Sequence, residues 1–173
     1  MHKLLEIVRQ TLSEYLHNGQ TPHWEISDPE LIRPRGCFVT LYKQGALRGC
    51  VGTFEGTKPL FENVIRMAHA AAFQDSRFAA VGKEDLESLK IEISVLGELR
   101  KAASLEEIEL GRHGVLVKAG SRTGTFLPEV AVEQKWSREE FVTYCAREKA
   151  GLRPADIAKA EIFIYEVEKF KEA

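Results

Sequence analysis

Cysteine is scarce in this chain and does not come in pairs. Cys37, Cys50 and Cys145 are an odd set spread over 173 residues, which argues against a complete disulfide framework and for reduced thiols. The sequence has no C-x-x-C pair, no H-E-x-x-H and no EF-hand loop, so it carries no strong metal motif. It also lacks a Walker loop and any G-x-G-x-x-G after a strand, which leaves no standard nucleotide cradle and nothing that calls for a cofactor. No apolar run is long enough to span a bilayer. The stretch Met1-His2-Lys3-Leu4-Leu5-Glu6 lacks the apolar core of a signal peptide. Charge is balanced, with 24 Lys and Arg against 26 Asp and Glu. That balance, without interleaved basic and aromatic residues, speaks against nucleic-acid or anionic-membrane partners. A cytoplasmic protein is expected.

What is present suits one domain over residues 1–173, built as one body or as two small lobes sharing a core; 44% of the residues are hydrophobic. Leu4, Leu5, Val8, Leu12 and Leu16 recur at helical spacing, and Gly19 is placed to end that helix. Prolines 22, 29 and 34 mark residues 20–35 as irregular. Two apolar-rich runs, 36–43 and 46–53, flank Gln44-Gly45 and predict a β-hairpin. Pro59 opens a second helix, and Leu89, Ile91, Ile93 and Val95 alternate as one face of a half-buried strand. Further on, 114–118 and 125–127 read as strands around a loop, Pro128 starts a helical segment, and Ser137 with Glu140 has capping-box spacing for a helix ending at Gly151. Residues 160–170 read as one long closing strand. Hairpins mixed with helices, without βαβ alternation, predict an α+β fold: a mainly antiparallel sheet flanked by helices.

The run Leu47-Arg48-Gly49-Cys50-Val51-Gly52-Thr53 holds residues that strand packing alone does not ask for. Residues two apart on a strand share a face, roughly 7 Å apart, so Arg48 and Cys50 are expected on one side. A guanidinium near a thiol favours the reactive thiolate. Gly49 and Gly52 would leave the backbone open to a ligand or to another strand. Equally, a free cysteine often packs as a small hydrophobe, the glycines can serve close packing, and Arg48 can pair with a structural carboxylate. Asp75 and Arg77, two apart after the second helix, can present a polar pair to a cleft or form a turn network. Glu92 and Ser94 share the face opposite Ile91 and Ile93. Glu92 is a candidate partner for Arg48 or a base, or else part of a solvated outer face. His113, before Gly114, can reach a cleft or make a turn. His69 is expected on the exposed side of its helix, Cys145 in the core, and Cys37 has no activator nearby.

Leu47-Arg48-Gly49-Cys50-Val51-Gly52 resembles the signature hexapeptide of the AMMECR domain family, whose prokaryotic members include AmmeMemoRadiSam system protein A. The resemblance continues through Pro59-Leu60, Ala71-Ala72, Asp75-Ser76-Arg77-Phe78 and Ile91-Glu92-Ile93-Ser94-Val95-Leu96. It resumes at His113-Gly114-Val115 and at Phe126-Leu127-Pro128-Glu129-Val130-Ala131, and ends with Trp136 and Lys149-Ala150-Gly151-Leu152. Ser76 and Ala80 stand where the family usually has proline, which should loosen that turn. The resemblance implies an α+β fold with a larger and a smaller lobe and a cleft near the hexapeptide. It also implies association with a Memo-like protein and a radical SAM protein. With no three-cysteine cluster motif, this chain would be the companion and not the radical enzyme.

Two functions follow as expectations. In one, Cys50 is a nucleophile on a small molecule or peptide, Arg48 stabilises the thiolate or an anionic group, and Glu92, His113 or Asp75 moves the proton. Gly49, Gly52, Arg77 and Ser94 would then line the ligand site. In the other, the same cleft is a non-catalytic binding or scaffold module for the partner proteins.

Overall fold

The structure, a computed structural model, describes residues 2–54 and 56–173. Its helices are α1 (Lys3–Asn18), α2 (Pro29–Ile32), α3 (Leu60–Phe73), α4 (Pro128–Gln134), α5 (Arg138–Tyr144) and α6 (Pro154–Ile157). Its strands are β1 (Cys37–Lys43), β2 (Ala46–Thr53), β3 (Leu89–Leu96), β4 (Arg100–Lys101), β5 (Gly114–Ala119), β6 (Arg122–Phe126), β7 (Glu161–Tyr165) and β8 (Val167–Lys171). The chain divides into two units, residues 1–96 with 168–173, and residues 97–167.

In the first unit the sheet order is β2-β1-β3-β8. Gln44 and Gly45, at φ 51° and 78°, supply the left-handed pair that a tight hairpin between β1 and β2 requires. The apolar stripe of α1 and the small-residue face of α3 are buried with Cys37, Val39, Leu41, Leu89, Ile91, Ile93 and Val95. One face of the sheet is therefore the core face. The other carries Phe38, Thr40 and Tyr42 from β1, since successive strand side chains alternate. His69 is half-buried between the rings of Tyr15 and Phe73, with centroids 4.4 and 5.0 Å away, and is not a freely exposed residue.

In the second unit the sheet order is β4-β7-β5-β6, and its core gathers Ile108, Val115, Val117, Phe141, Cys145 and Ile164. The Ser137–Glu140 capping box forms as expected. After α5 the helix widens into a π-turn over Cys145–Lys149, and the Leu152 N–H closes on the Ala146 carbonyl at 2.9 Å.

Two expectations about the strands also need correction. β6 begins at Arg122 and not at Thr125, because Gly120, at φ 60°, and Ser121 make a two-residue turn. The closing strand is not continuous. It breaks at Glu166, whose carbonyl accepts the Gly97 N–H at 2.8 Å and whose carboxylate meets Arg112 at 2.8 Å. β7 joins the second sheet and β8 the first.

Candidate functional site

Cys50 lies on β2, an edge strand of the first sheet. An edge strand presents unpaired N–H and C=O groups, and here two side chains take them up. The Cys50 N–H donates to Asp75 Oδ2 at 2.9 Å, and Arg77 Nη2 donates to the Cys50 carbonyl at 3.1 Å. Asp75 and Arg77 also hold each other through two hydrogen bonds of 2.9 and 2.7 Å. This charged fork caps the strand edge where a fifth strand would pair. The Arg77 hydrogen bonds hold the Asp75 carboxyl well below the usual carboxylate range, with further help from the Cys50 and Arg77 N–H groups against partial burial. The guanidinium is correspondingly raised, first by Asp75 and least by the charge of Cys50.

Because its N–H and C=O point outward, Cys50 faces Thr40 as a non-hydrogen-bonded pair, the arrangement in which cross-strand side chains come closest. The Thr40 hydroxyl donates to Cys50 Sγ at 3.3 Å. Thr40 is in turn opposite Glu92 on β3. The face away from the helices thus carries a transverse row, Cys50–Thr40–Glu92, and β8 completes it. Lys169 Nζ is 3.1 Å and Lys171 Nζ 2.7 Å from the Glu92 carboxylate. Burial pushes the Glu92 pKa up, but the two ammonium groups outweigh it and leave the pKa below the ordinary value. Tyr42 stands next to this row. Its phenol is held protonated above its usual range, first by partial burial and then by Glu92, with the Cys50 charge adding and the two lysines opposing.

Arg48 does not share the Cys50 face. The β1–β2 register slips between Leu41 and Tyr42, so Leu41 pairs with Gly49 and Tyr42 with Leu47. The extra residue breaks the period-two alternation. Arg48 instead donates to the carbonyls of Ala79 at 2.5 Å and Ala80 at 3.0 Å and to Asp85 Oδ2 at 3.3 Å. Asp85 is buried and also paired with Lys43 at 2.5 Å. The hydrogen bond from Lys43 is the first cause of its lowered pKa. Gly49 and Gly52 serve close packing. A Cβ at Gly49 would lie 2.1 Å from the Ala71 carbonyl oxygen on α3, and one at Gly52 2.2 Å from the Phe38 ring.

Ser94 lies opposite Phe38, on the same side as Glu92, and is 1% exposed. Among the described residues its Oγ has no hydrogen-bond partner. His113 belongs to the second unit, where its Nδ1 accepts the Glu109 N–H at 3.1 Å. It lines a hollow of about 340 Å³ with Arg100, Tyr165 and Glu166. Burial pushes the Cys37 and Cys145 thiols up to about 12, whereas Cys50 is half-exposed. The structure therefore joins Cys50, Asp75 and Arg77 by direct contact, aligns Glu92 and Ser94 on the same sheet face, and sends Arg48 elsewhere. Thr40, Tyr42, Lys169 and Lys171 escaped the sequence reading. The alternation of β1 could have placed Thr40 and Tyr42, but no local signal reveals lysines delivered by a strand 77 or more residues away.

The AMMECR1 family profile matches residues 5–170. The chain belongs to the AMMECR1 family. Protein MK0488 of Methanopyrus kandleri is 37% identical to this AMMECR1 chain over 180 residues, covering 98% of this chain and 86% of the relative. A Methanosarcina acetivorans protein is 35% identical over 178 residues, covering 97% and 89%. The crystal structure of protein PH0010 from Pyrococcus horikoshii superposes with a TM-score of 0.89 at 33% identity, covering 98% of this chain and 90% of that one. The α+β architecture expected from the sequence is thus that of an AMMECR1 chain. Among the described residues no helix is long and apolar enough to cross a membrane.

Proposed function

We propose that the sheet face around Cys50 is a cysteine-centred site acting on a small molecule or peptide. The observation that carries this reading is the fixing of Cys50 from three directions. Asp75 holds its N–H, Arg77 its carbonyl, and Thr40 its sulfur. A nucleophile held in one geometry avoids the orientational cost of reaction. The Cys50 thiolate would add to an electrophilic carbon, forming an S–C bond as the leaving group departs with the bonding pair. Water would then cleave that bond and return the thiol. Arg48 contributes by bracing the bulge and not by contacting sulfur. The Memo-like and radical SAM partners implied by the family resemblance, and a cytosolic setting, belong to the same proposal.

A non-catalytic binding module is the second reading, and one observation favours it. Asp75 and Glu92 are both held below the usual carboxylate range, which makes each a weaker proton acceptor. Cys50→Ser separates the two. Loss of biological activity in a host lacking its own copy, with partner capture retained, supports the reacting cysteine. Full activity with the serine variant supports the binding module.

A further inference from the structure

We propose that the hollow beside His113 is a binding site for a small zwitterion, a molecule of the amino-acid class that carries both a carboxylate and an ammonium group. This inference goes beyond the cysteine-centred reading and does not rest on it, since every residue it uses belongs to the second unit.

His113 is the group that points to a ligand. Its backbone and its ring are clamped to one residue: the His113 N–H donates to the Glu109 carbonyl at 2.9 Å, and the Glu109 N–H donates to His113 Nδ1 at 3.1 Å. A backbone N–H can only donate, so Nδ1 is the acceptor and the ring proton sits on Nε2. The residue is 8% exposed, yet among the described residues Nε2 has no hydrogen-bond partner. A buried donor is costly to leave unmet. With its Nδ1 side taken by Glu109, the side that His113 gives to the hollow of about 340 Å³ is the one bearing this N–H.

The rest of the hollow supplies two opposite charges. Arg100 on β4 pairs with Ile164 on one side of β7, and Gly114 on β5 pairs with Tyr165 on the other. His113 and Glu166 follow directly on that second pair. Adjacent strands are about 4.8 Å apart, so the long Arg100 side chain and the His113 ring approach from the two flanks of β7, with Glu166 at its end. Arg100 meets Glu107 through Nη1 alone and keeps the other donors of its fixed fork. Glu166 takes both Arg112 hydrogen bonds, of 3.1 and 2.8 Å, on Oε1 and keeps Oε2 as an acceptor. The Arg100 and Glu166 side chains are each 58% exposed, so the fold closes over neither and both can reach a ligand. A carboxylate would sit between the His113 N–H and the Arg100 guanidinium, and an ammonium group on Glu166. A plain anion would meet like charge at Glu166 and at Glu98, which also borders the hollow. A plain amine would meet it at Arg100 and would leave the His113 donor unmet.

The test is imidazole NMR of the whole chain carrying isotope-labelled histidine, titrated with each common L-amino acid, with acetate and with methylamine at matched ionic strength. The free protein should show His113 as the Nε2-protonated tautomer. At least one amino acid should shift its Nε2 resonance saturably and bind about tenfold or more tightly than acetate or methylamine, the scale of one hydrogen bond to a charged group. His113→Asn keeps an acceptor for the Glu109 N–H and removes the Nε2 donor. It should hold the wild-type Tm and bind that amino acid about tenfold more weakly, read from the Gly114 and Tyr165 amides. Arg100→Gln, at an exposed side chain, should weaken it by a similar factor and decides the matter if the asparagine variant does not fold. No saturable shift with any amino acid, acetate binding as tightly as the best of them, a His113 protonated on Nδ1, or folded variants that bind as wild type does would each overturn the inference. None of these results touches the reading of Cys50.

Discussion

Asp75 grips the backbone of Cys50: its Oδ2 accepts the Cys50 N–H at 2.9 Å, while Arg77, itself held by Asp75, bonds the carbonyl of the same residue. The fork does for one residue of an edge strand what a neighbouring strand would do along its whole length. It also explains why a polar turn directly after α3 occurs together with a cysteine some 25 residues earlier. The two features are one structure.

Asp75→Asn should therefore lower stability at pH 7 by about 2 kcal/mol, the scale of hydrogen bonds to a charged group, discounted for the exposure of Arg77. The folded-state pKa of Asp75 is depressed. Its contribution is thus fully present above the unfolded value of about 4 and is lost as pH falls below that value toward the folded one. Urea unfolding of both proteins should show the full difference at pH 7 and a smaller one near pH 2.5. A difference that grows on acidification contradicts the sign of this linkage.

Gly49→Ala should be more damaging than its size implies. The new methyl meets a backbone oxygen of α3 at 2.1 Å, and a helix cannot yield as a side-chain tip does. Overpacking of this kind costs roughly 1–3 kcal/mol, or a fall of about 3–10 °C in Tm for a chain this long. Gly45→Ala is the contrast. Nothing lies within 4 Å of its Cβ position, and only the left-handed φ of 78° is penalised, by about 1–2 kcal/mol. A thermal melt in which Gly49→Ala matches wild type would contradict the packing described.

Arg48→Lys should destabilise the protein without changing the chemistry of Cys50. A lysine cannot reproduce the fork to two carbonyls and Asp85, and a loss on the order of 1–2 kcal/mol is expected. The alkylation rate of Cys50 should stay within about twofold of wild type. A tenfold fall with unchanged stability would return Arg48 to the sulfur.

How far the sequence discloses all this depends on the range of the signal. Gln44-Gly45, Pro59 and the Ser137–Glu140 box are local signals, and each produced the element it announced. The break at Glu166 was hidden because Ile162, Ile164, Val167 and Lys169 continue a plausible strand text. What ends the strand is a hydrogen bond from Gly97, about seventy residues earlier. The direction of Arg48 is hidden for a related reason. A bulge inserts one residue without any mark in composition, and one residue reverses the face. Glu92 was readable as a strand residue on the outer face, but its burial and its two lysines come from β8. The hexapeptide marked where to look, and tertiary pairing decided which of its side chains meet sulfur.

The central claim is that Cys50 is the reacting thiol of this fold, and site-resolved iodoacetamide labelling of the native protein tests it most directly. The account predicts that Cys50 is alkylated while Cys37 and Cys145, buried and with thiols raised to about 12, react only after denaturation. A native Cys50 as protected as those two would contradict it.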